Sequence, residues 1–220
     1  MIKLVIFDLD GTLINTIDDI GNACNHALRK CGYPERKAEE YNLLVGRGIY
    51  NLFMRALPQD QATESMVIRM KDYFIPYYNS HLFDYTVPYN GIPELLDLLE
   101  DKGIRIAVAS NKYQEATEIL VKKFFGKHEF VKILGQRDGN PIKPDPQIVH
   151  EIMDALPGIT EKEIVYCGDS DVDMQTGKNA GVTTVGVTWG FRSREELEAN
   201  SPSALIDKPS ELMTIIDNLK

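Results

Sequence analysis

Lys3-Leu4-Val5-Ile6-Phe7-Asp8-Leu9-Asp10-Gly11-Thr12 reads as a short β-rich apolar run that breaks into an acidic turn. From about Ile17 to Lys30 the apolar residues return at helical spacing, so the first unit is strand, loop, helix. The alternation resumes later in the chain. A helix opened by Pro93 precedes a strand at about Ile104 to Ala109, a helix from Tyr113 to Phe124 and a strand near Val131 to Leu134. Glu163 to Cys167 reads as a fourth strand leading into a helix that ends at Gly181. Thr183 to Val187 reads as a fifth strand, and a last helix follows Pro209. Short apolar strands separated by helices predict an α/β fold, a doubly wound parallel sheet covered on both faces.

Between about Asn15 and Tyr89 the strand signal vanishes, and apolar residues such as Met66, Met70, Tyr73 and Tyr77 recur at helical spacing. This predicts an all-helical insertion over 15–89 inside a sheet domain made of 1–14 and 90–220. The Met and Tyr stripe is read as helical core rather than the lining of a pocket. Pro76 is expected to kink or end its helix, and Val87-Pro88-Tyr89-Asn90-Gly91 is turn-rich enough to return the chain to the sheet.

At 220 residues the chain has room for one large domain or a core with an insertion. Hydrophobic residues at 43% and charged residues at 26% exclude a disordered, collagen-like or disulfide-built chain. A net charge of -9 argues against nucleic acid and anionic lipid as partners. No stretch approaches the roughly 18 to 20 apolar residues that a spanning helix needs, and the N-terminal run is too short for a signal peptide, so a cytoplasmic location is expected. Cys24, Cys31 and Cys167 form no CxxC pair and are read as small buried hydrophobes.

In doubly wound sheets ligands bind beyond the carboxyl ends of the strands. Asp8 and Asp10 follow the first strand, Ser110 and Asn111 the second, Lys143 lies in the Pro-rich loop after the third, and Asp169 to Asp173 follow the fourth. Parallel strands in register bring them to one rim, where four acids would face a single lysine. Carboxylates within roughly 4 to 6 Å raise one another's pKa, and a bound divalent cation relieves the repulsion. Oxygen-only ligands favour Mg2+. Zinc is disfavoured, because no His or Cys pair lies at ligand spacing and His26, His81, His128 and His150 are scattered. Asp169-Ser-Asp171-Val-Asp173 fails as a calcium loop, since Met174 and Ala180 stand where that loop requires Gly and Glu.

Asp8-Leu-Asp10-Gly-Thr-Leu, Ser110-Asn111-Lys112, Lys143-Pro-Asp-Pro and Gly168-Asp169-Ser-Asp-Val-Asp173-Met together resemble the four motifs of the haloacid dehalogenase superfamily. Their order and the helical insertion after the first motif resemble the subgroup with a type 1 cap, which includes phosphoglycolate phosphatases and β-phosphoglucomutases. The resemblance implies a Rossmann-like core with a helical cap. It further implies that Asp8 attacks phosphorus to form an aspartyl-phosphate, while Asp10 protonates the leaving oxygen and then deprotonates water. Mg2+ is then expected on the Asp8 carboxylate, the Asp10 backbone carbonyl and Asp169, with Asp173 orienting either metal-bound water or Lys143. Lys143 neutralises phosphoryl charge, and Ser110 with Asn111 is expected to bind substrate. Presence of Asp10 disfavours a true dehalogenase.

Val45-Gly46-Arg47-Gly48-Ile49 resembles the specificity loop of phosphoglycolate phosphatases, with Arg47 as anion reader and Gly46 and Gly48 admitting close backbone approach. Asn15 stands where the family often has Asp. Thr188-Trp189-Gly190-Phe191-Arg192 resembles the same subgroup, although Trp189 is read as packing beside the fifth strand. The implied function is a Mg2+-dependent phosphatase of a small phosphorylated metabolite, phosphoglycolate first, acting as monomer or homodimer. Two alternatives stay open: a β-phosphoglucomutase-type mutase, and a non-catalytic module that binds a phospho-ligand.

Overall fold

In the computed structural model, which describes residues 1–219, all four residues of β1 (Leu4–Phe7) are buried, and the strand has parallel neighbours on both edges. The other strands of the sheet are β2 (Arg105–Tyr113), β3 (Phe130–Gln136), β4 (Ile164–Gly168), β5 (Thr183–Val187) and β6 (Ala204–Ile206). They run parallel in the order β3-β2-β1-β4-β5-β6. The order reverses beside β1, which makes the carboxyl ends of β1 and β4 the crevice where such sheets take ligands. Leu4, Ile6, Ala107 and Ile164 pack with Val149 and Ile152 of α7 (Gln147–Asp154) in one core cluster. Each fully buried aliphatic side chain there contributes roughly 1.5–3 kcal/mol.

Two compact units result: Met1–Asn15 with the chain from Pro88 onward, which holds the sheet, and Thr16–Val87. The second contains α1 (Ile17–Cys31), a short α2 (Tyr41–Leu44), α3 (Gly48–Ala56) and α4 (Glu64–Ser80). Asp19, buried in the first turn of α1, accepts hydrogen bonds from the Tyr85 and Thr86 amides and the Thr86 hydroxyl, at 2.6 to 3.1 Å. That carboxylate ties the end of the helical segment back to its beginning. Among the described residues no helix is long and apolar enough to cross a membrane.

Several local expectations are corrected. Pro76 does not end its helix: α4 continues to Ser80, held by the buried Val67, Met70, Phe74 and Tyr78. The missing N–H is tolerated because Pro76 and Asp72, whose carbonyl loses that partner, are both exposed to water. Of the expected stripe only Met70 is fully buried, and Met66, Tyr73 and Tyr77 flank the core face. Tyr77 instead stacks against His26 and His81 at ring distances of 4.1 and 4.2 Å. β2 does not stop at Ala109. Tyr113 pairs with Gln136 of β3 across a register shift, so Ser110 and Asn111 lie inside the irregular end of the strand. α8 (Asp171–Asn179) stops short of Gly181, and the three-residue β6 was too brief to register as a periodic run.

Candidate active site

Register places the site. Phe7 of β1 lies level with Val108 of β2 and Cys167 of β4, so the residues that follow each strand emerge at a common rim. The Asp8 amide still donates to the Cys167 carbonyl at 2.9 Å, after which the chain turns so tightly that the amides of Thr12, Leu13 and Ile14 all reach the Leu9 carbonyl. Gly11 at φ 85° makes that turn without the steric cost any side chain would bring.

Lys143 is the hub. Its buried Nζ lies 2.9 Å from Asp8 Oδ1 and 2.7 Å from Asp173 Oδ1, and it also donates to the Ala109 carbonyl and the Tyr166 hydroxyl. Burial disfavours its charge, but Asp173 and Asp8 outweigh that and hold the ammonium well above the ordinary lysine range. Asp173 is fixed in turn at the start of α8, where Oδ2 accepts from the Ser170 amide at 3.1 Å and hydroxyl at 2.6 Å. Of the two orientations open to Asp173, its carboxylate thus sits on Lys143. Leu9 N donates to Asp8 Oδ1 at 2.7 Å, so the amide and Lys143 share one oxygen of this carboxylate.

Asp169 sits in a cradle. Its Oδ2 accepts from the Phe191 amide at 2.7 Å and its Oδ1 from the Thr12 hydroxyl at 3.2 Å. A Cβ on Gly11 would lie 2.6 Å from Asp169 Cγ, and one on Gly190 would lie 2.5 Å from it, so both glycines are needed to let backbone close around the acid. Burial first, then Asp173, pushes the Asp169 carboxyl up to about 7, against the pull of Phe191, Arg192 and Thr12. Asp8 is raised as well, by burial, Asp173 and Asp169, despite the Lys143 charge. Asp8, Asp169 and Asp173 bring carboxylate oxygens within 4.8 Å of one another, all buried. An acid excess of this kind could hold a cation; Asp173 is engaged by Lys143 and Ser170, and Asp8 and Asp169 are the acids that could ligate one.

Comparison with known proteins agrees with this geometry. The sequence profile of the family described as Haloacid dehalogenase-like hydrolase matches residues 5–187. This chain belongs to that family. A phosphoglycolate phosphatase of Aquifex aeolicus is 31% identical over 216 residues, 98% of this chain and 97% of the relative. One from Haemophilus influenzae is 29% identical over 97% and 98% of the two chains. The crystal structure of a candidate phosphoglycolate phosphatase from Lactobacillus delbrueckii subsp. bulgaricus superposes with a TM-score of 0.90 at 32% identity, covering 97% and 98%. This haloacid dehalogenase-like hydrolase is a phosphatase, an enzyme of phosphorylated small substrates.

Within the hydrolase, Asp8, Asp10, Ser110, Asn111, Lys143, Asp169 and Asp173 all belong to the sheet unit, whereas Gly46, Arg47 and Gly48 lie at the start of α3 in the helical unit. Gly46 and Gly48 both take positive φ, 111° and 76°. The single lysine expected at the rim is corrected to two: Lys112 Nζ pairs with Asp10 Oδ2 at 3.0 Å, with both side chains at most a tenth exposed. Asn111, expected to bind substrate, also makes a structural contact. Its Oδ1 accepts from the Lys143 amide at 2.9 Å and its Nδ2 donates to the Lys143 carbonyl at 3.2 Å, a clamp on the lysine's backbone. The Ser110 hydroxyl is buried and accepts from the Lys112 amide at 3.2 Å. Trp189 does more than pack beside β5: its Nε1 donates to the Thr12 carbonyl at 3.0 Å, tying the 188–192 loop to the first acidic turn. Tyr166 and the roles of Lys112 and of the Gly190-Phe191 amide escaped the reading by sequence, although Lys112 stands in the second motif and Thr188 to Arg192 resembles one subgroup.

Proposed function

We propose that this phosphatase is a Mg2+-dependent phosphomonoesterase that works through an aspartyl-phosphate on Asp8, with phosphoglycolate as its first substrate. The observation that carries the reading is the Asp8 carboxylate held on Oδ1 by Lys143 and the Leu9 amide, directly beside the cradled Asp169. With Oδ1 fixed, Oδ2 is the oxygen assigned to attack. The new Asp8–phosphorus bond forms as the bond to the leaving oxygen breaks, and Asp10 gives that oxygen its proton. In the second displacement Asp10 takes a proton from water, whose oxygen attacks phosphorus and returns Asp8 as a carboxylate. Lys143 bears on the nucleophile and on the spreading phosphoryl charge, and Asn111 and Asp173 keep it there. Asp8, Asp169 and the Asp10 carbonyl form an all-oxygen set of the kind Mg2+ prefers. Bound there, the ion supplies the positive charge that lets a phosphate dianion enter among carboxylates.

Arg47 is assigned the carboxylate of the substrate. It occupies the N-cap position of α3, and its planar guanidinium is suited to pair bidentately with a carboxylate. Gly46 and Gly48 flank it with backbone open to close approach. Phosphate release from phosphoglycolate, phenyl phosphate and β-glucose 1-phosphate, with and without Mg2+, tests the reading. Fastest release from phosphoglycolate, abolished by EDTA and restored by Mg2+, is expected. Arg47→Ala should cost roughly 10- to 150-fold in kcat/KM on phosphoglycolate and little on phenyl phosphate, the loss of one charge-assisted hydrogen bond. Equal turnover without metal, or conversion of β-glucose 1-phosphate to glucose 6-phosphate without phosphate release, overturns it.

A further inference from the structure

Away from the rim, the end of α5 (Ile92–Asp101) meets the segment between α6 (Gln114–Phe125) and β3, and there Asp97, Glu100 and His128 bring potential ligand atoms within 4.8 Å of one another. His128 is 7% exposed. Its Nδ1 lies 2.7 Å from Glu100 Oε2, and since a carboxylate can only accept, Nδ1 carries the hydrogen. The other oxygen of Glu100 accepts from the Glu129 amide at 2.9 Å, which locks the acid in place. The remaining ring nitrogen, Nε2, is buried and has no hydrogen-bond partner among the described residues, and Asp97 Oδ1 lies 3.9 Å from it. A buried imidazole nitrogen without a partner is costly for a purely structural histidine. A carboxylate that fixes one ring nitrogen while the other is aimed at a second carboxylate is the arrangement by which proteins prepare a histidine to ligate a metal.

We propose that Asp97 and His128 form a second cation site, selective for a borderline transition ion such as Zn2+, with Glu100 orienting the imidazole. Tetrahedral ligands at roughly 2.0–2.1 Å from Zn2+ stand about 3.4 Å apart, so the 3.9 Å gap closes by about half an ångström. Asp97 can supply that movement, because it is half exposed and its hydrogen bonds are to the surface ammonium of Lys127, at 2.6 and 2.9 Å. Lys127 is therefore the competitor of the ion. An imidazole ligand selects Zn2+ over Mg2+, so this site is chemically separate from the all-oxygen one. Zinc seated here would cross-link α5 to the approach of β3 and stabilise the folded chain by mass action.

Equilibrium dialysis of the whole protein against Zn2+ in excess Mg2+, with a parallel melting curve, tests the site. Wild type should hold one more Zn2+ per chain than His128→Gln or Asp97→Asn and melt higher with zinc, and the exposed Asp97 variant serves should the His128 change impair folding. Lys127→Ala, which removes the competitor, should bind zinc several-fold more tightly than wild type. Equal zinc content in wild type and both ligand variants overturns the proposal, as does a Lys127→Ala protein that binds no more tightly than wild type.

Discussion

Gly190→Ala probes the metal cradle through sterics alone, because Gly190 is not among the glycines with positive φ and alanine meets no backbone strain there. The added Cβ would meet Asp169 Cβ first and stand 2.5 Å from Cγ and Oδ2, where ordinary contact begins at 3.4 Å. Either the acid or the loop must yield by more than 0.9 Å. The loop is held by the Trp189 indole on Thr12 and by the Thr188 amide on the Ile206 carbonyl at 3.1 Å, so much of the displacement falls on Asp169 and on its 2.7 Å bond from Phe191 N. Loss of a hydrogen bond to a charged group costs about 1.5–3 kcal/mol, and an ångström of misplacement in a catalytic site costs roughly 100-fold. The Mg2+ concentration for half-maximal phosphate release should therefore rise about 10- to 150-fold. The assay is a Mg2+ titration of phosphoglycolate hydrolysis, with a melting curve to show that the variant is folded. A folded Gly190→Ala enzyme with wild-type Mg2+ dependence would refute the assignment of Asp169 to the ion.

The raised Asp169 carboxyl, at about 7 without metal, makes proton and cation competitors. The Mg2+ half-saturation should climb about tenfold for each pH unit below 7 and level off above it, as read from Mg2+-induced shifts in melting temperature. Because the folded value lies above the unfolded value of roughly 3.9, the metal-free protein should lose stability as pH rises from about 4 to 7, a trend that Mg2+ reverses. Asp10→Asn should lose about 10²- to 10⁴-fold in kcat on a substrate with a poor leaving group; an unchanged rate removes Asp10 from proton transfer. Asp173→Asn keeps the shape but strips a buried partner from Lys143, which costs about 3–5 kcal/mol, or roughly 6–20 °C in Tm. A shift under about 2 °C contradicts that account. In the helical unit, Asp19→Ala leaves the Tyr85 and Thr86 donors without their acceptor and should cost about 3 kcal/mol in urea denaturation; no change would show that water replaces it.

The parallel sheet was legible because its evidence is local. Leu4 to Phe7 and Ile164 to Gly168 are buried on both faces, so each is apolar throughout and ends abruptly at Asp8 or just before Asp169. In a doubly wound sheet the residue after such a run sits at the ligand-binding rim whatever the side chains elsewhere, which is why Asp8, Lys143 and Asp169 could be named together from their neighbours in sequence. Pro76 does not end its helix for the converse reason: that local tendency yields to the burial of Val67, Met70, Phe74 and Tyr78 around it. What holds those rim residues in place came only with the tertiary structure. Lys112 reaches back to Asp10, Tyr166 rises beneath Lys143, Gly190 and Phe191 close on Asp169, and His128 in the segment before β3 meets Asp97 and Glu100 of α5. None of these contacts has a period or a spacing, since each joins segments whose proximity is set by strand register and packing. A chain announces which residues carry charge at the ends of its strands; only the packed fold decides which donor, acid or glycine stands within 3 Å of them, and so how each charge is held.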